Sequence, residues 1–297
     1  MSNLWRNLKE MRKPKWQNSI GVIFAVLLLV FLLFSSIQPR ICSECANHSQ
    51  NISSFENVRL EAKAAYIFDV LKNQPIFELN AEAQLPLASL AKIMTGLVAE
   101  ETLPSSLDVV LSQEAVMQEG DDGFLVGEKL PLSELSDIML LASSNDAAFA
   151  IASEFNKDFN QDFVLLMNKK AKELGLTQTY FLNSTGLDFS KNIAGAYGSA
   201  KDIATLFLYA VKNHQSLMEA TRMDAINIQS REFKNTNRII NEIPGFIAGK
   251  TGFSDLAGGN LAVVVDKGYS QPFIIVVLGS TYDGRFNDVK TLYNLIP

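Results

Sequence analysis

Ser89 and Lys92 stand three residues apart in Ala88-Ser89-Leu90-Ala91-Lys92, where Leu90, Ile93, Met94, Leu97 and Val98 form an apolar stripe. The stripe has helical spacing and predicts a helix over 89–101. Hydroxyl and amine then project from one face, about a turn apart. A serine hydroxyl needs a neighbouring base to become a nucleophile, and a lysine serves if burial and another cation lower its pKa. Free N–H groups at a helix start can also stabilise an oxyanion. S-x-x-K occurs once in the chain. Alone it would equally describe a serine and a lysine on the surface.

Two further clusters could complete such a site. Ser143-Ser144-Asn145 falls in a break between helical segments, where a hydroxyl could relay protons and an amide could hold a substrate backbone. Two other S-x-N triplets, Ser49–Asn51 and Ser190–Asn192, lie in polar stretches. Lys250-Thr251-Gly252 closes an apolar strand pattern, GFIAGKTG. An edge strand there could hold a peptide by main-chain bonds, with glycine allowing close approach. Lys250 would add positive charge beside Lys92. The only histidines are His48 and His214, both in polar stretches. A Ser-His-Asp triad and a histidine-built metal site are therefore not expected.

The elements that must position these residues read as follows. Ala64–Val70 and Pro75–Leu79 form a hairpin pattern around Leu71-Lys72-Asn73-Gln74. Helices are predicted over Leu132–Ala142, Asp146–Phe155, Phe163–Leu174 and Ser199–Asn213, and strands over Met223–Phe233, Phe246–Thr251, Asn260–Val265 and Pro272–Gly279. A last helix runs from about Asn287 to Leu295. Strands at both ends with helices between them predict one α+β domain whose terminal segments share an antiparallel sheet. No composition break divides residues 58–297.

The N-terminus has a different character. Ile20–Ile37 carries no charge and is long enough, at about 1.5 Å per residue, to cross roughly 27 Å of hydrocarbon. Residues 1–20 have a net charge of +4 and leave −10 for the remainder of a chain whose total is −6. The positive-inside rule then places 1–19 in the cytoplasm, 20–37 as a transmembrane anchor, 38–57 as a stalk and 58–297 outside. Secretion after signal-peptide cleavage is the alternative, but the apolar run is long and Ser43-Glu44-Cys45 makes a poor cleavage site. Cys42 and Cys45 cannot fill a metal site by themselves. The acidic main domain argues against nucleic acid as a partner.

S-x-x-K, an S-x-N-type triplet and K-T-G, in this order, are the signature of serine β-lactamases and penicillin-binding proteins. With PLASLAKIMTGLVAEE, GEKLPLSELSDIMLLASSNDAA, AGKTGFSDLAGGNL and VVLGSTYDGRFNDV, the sequence over about 60–295 resembles the low-molecular-weight penicillin-binding proteins, serine D-Ala-D-Ala carboxypeptidases of the peptidase S11 type. The resemblance implies a β-lactamase/transpeptidase-like α+β domain, an antiparallel sheet flanked by helices, with the transmembrane helix before it. It implies no cofactor. Ser89 would attack the D-Ala-D-Ala carbonyl of a peptidoglycan stem peptide, with Lys92 as base and Ser143 relaying protons. Asn145 would bind the substrate amide and Lys250 would tune the charge. The N–H groups of Ser89 and Phe253, beside Gly252, would form the oxyanion hole. Thr251 and Arg285 would hold the terminal carboxylate, Arg285 being placed only by its distance from K-T-G. β-Lactams would acylate Ser89.

Two departures from the family pattern are expected: no second β-rich domain after the peptidase region, and a loop, Asn183-Ser184-Thr185-Gly186, without a proline common in relatives. Rapid β-lactam turnover of the class A type would need an E-x-x-L-N string before K-T-G, which is absent. A D,D-endopeptidase cutting crosslinks and a non-catalytic, membrane-bound wall-binding protein are the alternatives.

Overall fold

The computed structural model describes residues 58–297 except 121, 160 and 269. The expected N-terminal anchor and stalk lie outside the described residues. No helix among the described residues is long and apolar enough to cross a membrane.

The strands in chain order are β1 Ala64–Asp69, β2 Gln74–Leu79, β3 Leu85–Pro86, β4 Asp108–Val110, β5 Lys129–Pro131, β6 Tyr180–Phe181, β7 Ala196–Gly198, β8 Ala225–Ile228, β9 Arg231–Lys234, β10 Phe246–Ser254, β11 Gly258–Asp266 and β12 Pro272–Ser280. The helices are α1 Ala91–Thr102, α2 Gln113–Val116, α3 Leu132–Leu141, α4 Asn145–Phe159, α5 Phe163–Glu173, α6 Ala200–Asn213, α7 Gln215–Glu219 and α8 Gly284–Leu295. The main sheet has the order β10-β11-β12-β1-β2 and is antiparallel throughout. Segments from both ends of the described chain meet in β1–β12, as the strand–helix–strand order predicts.

This sheet is covered on both faces, which is why FIIVVL and LAVVV read as unbroken apolar runs rather than alternations. Successive side chains of a strand point to opposite faces. Tyr66, Ala262, Val264, Ile274 and Val276 therefore join the larger core with residues of α1, α3, α4 and α6. Ile67, Leu261, Val263, Ile275 and Val277 join the smaller core with Phe286, Val289 and Leu292 of α8. A one-residue slip would exchange the two sets. Each fully buried aliphatic chain contributes about 1.5–3 kcal/mol.

Helix α1 runs through the middle of the helical layer: every residue from Ala91 to Ala99 is buried, Lys92 included. Gly96 allows this packing, since a Cβ there would approach Leu217 Cδ1 to 3.0 Å.

Two expectations are corrected. Met223–Phe233 is not one strand but the hairpin β8–β9, turning at Gln229 (φ +47°) and Ser230 (φ +64°). Two left-handed residues match a primed hairpin turn, which glycine or asparagine normally signals. Neither is present here. The K-T-G triplet lies inside β10, which continues to Ser254, rather than at its end.

Candidate active site

Ser89 sits in a 3₁₀ turn, Ala88–Leu90, that leads into α1. The turn begins under strain, because Ala88 has φ +47°, a left-handed conformation that alanine disfavours. The surroundings hold it there. Asn260, fully buried at a bulge in β11, donates from Nδ2 to the carbonyls of Pro86 and Leu87 at 3.0 Å each. Its Oδ1 accepts from Gly279 N at 2.8 Å. Gly186 packs from the other side: a Cβ there would fall 2.0 Å from the Ala88 carbonyl oxygen. Gly252 of β10 closes the third side, where a Cβ would lie 2.8 Å from the Leu87 carbonyl and 3.3 Å from Ser89 N. Strain held by surrounding structure is a common property of reactive sites.

Lys92 is one turn further along. Its Nζ lies 2.9 Å from Ser89 Oγ, 2.7 Å from Asn145 Oδ1 and 2.7 Å from the Thr185 carbonyl. Two of these partners can only accept. The Asn145 amide is oriented by its own Nδ2, which donates to the Glu119 carbonyl at 2.5 Å. A neutral lysine spends its two N–H bonds on Asn145 and Thr185 and turns its lone pair to the serine hydroxyl. This is the geometry a base needs. Burial brings the Lys92 amine down to about 7, against the opposing pull of Asp122.

Ser143 and Lys250 form the second half. The two serines between α3 and α4 divide the work. Ser144 Oγ accepts from Ala147 N at 3.0 Å and caps α4. Ser143, at φ +64°, turns its hydroxyl to Lys250 Nζ at 2.7 Å. Lys250 is buried and also donates to the Thr251 carbonyl at 3.0 Å. Burial, then Lys92, then Arg285 hold its amine well below the ordinary lysine range. Two ammonium groups in this enclosure oppose each other, so protonating one lysine disfavours protonating the other.

Strand β10 is an edge of the main sheet, as its proposed substrate-holding role requires. Thr251 Oγ1 is 2.6 Å from Thr236 Oγ1. Arg285 lies behind the strand: Nη1 donates to the Gly252 carbonyl at 2.7 Å, and the guanidinium stacks on Tyr282 and Phe286. It is only 3 % exposed, and its Nε has no partner among the described residues. Phe253 is 46 % exposed and meets Tyr282 edge to face.

Ser89, Lys92, Ser143, Asn145 and Lys250 are thus linked by direct hydrogen bonds in two groups, Thr251 and Gly252 follow Lys250 on one strand, and Arg285 is tied to that strand from behind. Sequence reasoning missed Asn260, the Thr185 carbonyl, Glu119 and Thr236. Asn260 was visible as the one polar residue opening an apolar strand. The others act through backbone atoms or an unremarkable hydroxyl and left no signal. His214 is far from this chemistry, at the end of α6, with Nδ1 2.8 Å from Glu100.

The family model for D-alanyl-D-alanine carboxypeptidases, peptidase S11, matches residues 50–281. The chain belongs to this family. DacF of Bacillus subtilis, a D-alanyl-D-alanine carboxypeptidase, is 34% identical over 232 residues, covering 74% of this chain and 58% of its own length. The D-alanyl-D-alanine endopeptidase of Escherichia coli is 29% identical over 227 residues, covering 72% of this chain and 70% of its own. The chain thus spans less than two thirds of the carboxypeptidase relative. Among solved structures, penicillin-binding protein D2 of Listeria monocytogenes with ampicillin bound aligns with a TM-score of 0.69 and 27% identity, over 80% of this chain and 98% of that one. The peptidase S11 fold is therefore that of the described domain, with the three motifs brought to one site as the family resemblance implies.

Proposed function

We propose that this S11-family protein is a serine D-alanyl-D-alanine carboxypeptidase that removes the terminal D-Ala from peptidoglycan stem peptides. The observation that carries the reading is Lys92, buried, brought down to about 7 and 2.9 Å from Ser89 Oγ, with its two N–H bonds committed elsewhere. Neutral Lys92 takes the Ser89 proton as Oγ bonds to the carbonyl carbon of the penultimate D-Ala. The resulting oxyanion is met by backbone N–H groups of Ser89 and Phe253. Collapse breaks the C–N bond, and the proton passes to the departing D-Ala nitrogen, with Ser143 and Lys250 in the relay. Water then hydrolyses the acyl-serine. Asn145 binds the substrate amide with the second N–H of its Nδ2, since the first is held by Glu119. Thr251 receives the carboxylate. Arg285 acts on it only from behind the strand, by its positive charge and its bond to the Gly252 carbonyl, rather than by the direct contact expected from the sequence. No cofactor takes part. β-Lactams acylate Ser89 because they present a strained amide to the same nucleophile.

Residues 20–37 anchor the domain to the membrane with 1–19 in the cytoplasm. The supports for this are the uncharged stretch and the basic residues before it. Resistance of the protein to alkaline extraction from membranes tests that reading, and release into the wash would overturn it.

Cleavage of D-Ala-D-Ala-type crosslinks is the second reading, favoured by the likeness to an endopeptidase. One assay separates the two. Full-length protein is incubated with a stem pentapeptide and, separately, with a crosslinked muropeptide dimer. Free D-alanine from the pentapeptide with an intact dimer supports the carboxypeptidase; monomers from the dimer without free D-alanine support the endopeptidase.

A further inference from the structure

A cavity of about 410 Å³ opens at the opposite end of α1 from Ser89, walled by Leu103, Leu132 and Leu217 and carrying Glu100, Asp137 and Ser136. The helix between the two sites has twelve residues, about 18 Å of rise. The volume falls in the range of small-molecule sites, roughly 300–1,000 Å³.

Two of its polar side chains, Ser136 and Asp137, are not used by the fold. Ser136 is 7 % exposed, and no partner for its hydroxyl exists among the described residues, so the oxygen is left to the cavity it lines. The Asp137 carboxylate has neither a hydrogen bond nor an ion pair among the described residues. Glu100, by contrast, is engaged by Ser216 Oγ at 3.0 Å and by His214 Nδ1 at 2.8 Å. Among the described residues, no lysine or arginine lines the cavity. Burial, then Glu219, then Glu134 push the Asp137 carboxyl up to about 6, so it is ionised at neutral pH but short of a counter-charge. The last carbonyls of α1 add negative potential at the same place.

We infer that this cavity is a binding site for a small organic cation, a protonated amine on a short aliphatic body. The ammonium donates to Asp137 and Ser136, and the alkyl chain lies against Leu103, Leu132 and Leu217. A charged hydrogen bond of this kind outweighs the hydroxyl's contact with water.

The test is calorimetric titration of the full-length chain, at about pH 7.5 where Asp137 is ionised, with n-hexylammonium, n-hexanol and hexanoate. The amine should bind at least about tenfold more tightly than the alcohol, and hexanoate should not bind. Asp137→Asn should weaken the amine about tenfold or more while leaving the alcohol unchanged. Acylating Ser89 with benzylpenicillin beforehand should change nothing. Equal affinity for amine and alcohol would mean an apolar cleft only, and loss of binding on acylation would place the amine at Ser89. Either overturns the inference, as does no binding by any probe. The amine–alcohol comparison uses wild-type protein and stands even if the variant folds poorly.

Discussion

Between pH 6 and pH 8 the rate at which a β-lactam acylates Ser89 should rise and then level off. The perturbation is proton activity, and the responding group is Lys92, brought by burial to about 7. Only its neutral form can take the serine proton. With a pKa of about 7 the neutral fraction is about 0.09 at pH 6 and about 0.9 at pH 8, a tenfold rise, with only about a tenth more to gain by pH 9. A lysine at its ordinary value, about 10.5, would give a hundredfold rise over the same interval and keep climbing tenfold per unit. Stopped-flow fluorescence with a fluorescent penicillin measures the second-order acylation rate at each pH. Ser89→Ala serves as the blank, and circular dichroism confirms the fold at each point. Asp122 pulls the Lys92 pKa upward, so Asp122→Asn should move the midpoint to lower pH. A rate that is flat from pH 6 to 8, or one that climbs without a bend to pH 10, refutes Lys92 as a burial-tuned base.

Other consequences follow from the same geometry. The folded Lys92 has a pKa below its unfolded value, so from about pH 7 to about 10.5 the unfolded chain binds more protons and stability rises with pH, by at most about 1.4 kcal/mol per unit. Lys92→Met should make that slope shallower in urea melts taken across the window, with buried Lys250 contributing the remainder in the same direction, and should abolish acylation; an unchanged slope would contradict the burial argument. Gly186→Ala would put a methyl 2.0 Å from the Ala88 carbonyl, on a residue already at φ +79°. It should destabilise by about 2 kcal/mol or more and slow acylation at least tenfold, and a variant with normal melting and kinetics would show that this contact does not hold the turn. Asn260→Ala loses three buried hydrogen bonds, about 2–4 kcal/mol together. Chemical denaturation together with acylation kinetics should show both falling, and a stability loss with full reactivity would confine Asn260 to the sheet.

The sheet was legible because both its faces are buried: runs such as FIIVVLG announce strands wherever the chain places them. Hairpin β1–β2 and helices α3, α5 and α6 fall within a residue or two of where spacing put them. The helix of the nucleophile was legible as a helix, but not its first turn, because the 3₁₀ geometry and the left-handed Ala88 are imposed by Asn260, Gly186 and Gly252 from distant parts of the chain. Local sequence carries no record of such support. Hairpin β8–β9 was hidden for a related reason, with Gln229 and Ser230 standing where glycine or asparagine would have marked the turn. Within the site, side chains that act themselves could be named from the sequence. Groups that act through main-chain atoms, such as the Thr185 and Glu119 carbonyls, could not, since any residue carries a carbonyl.

If Ser89 forms a covalent acyl-enzyme with Lys92 as its base, exposure to benzylpenicillin leaves an adduct that intact-mass spectrometry reads. Full-length wild-type protein should gain the mass of one drug molecule, mapping by peptide digestion to the segment with Ser89. Ser89→Ala and a folded Lys92→Ala should gain none. An adduct on Ser89→Ala, or wild-type protein that stays unmodified while remaining folded, would contradict the account.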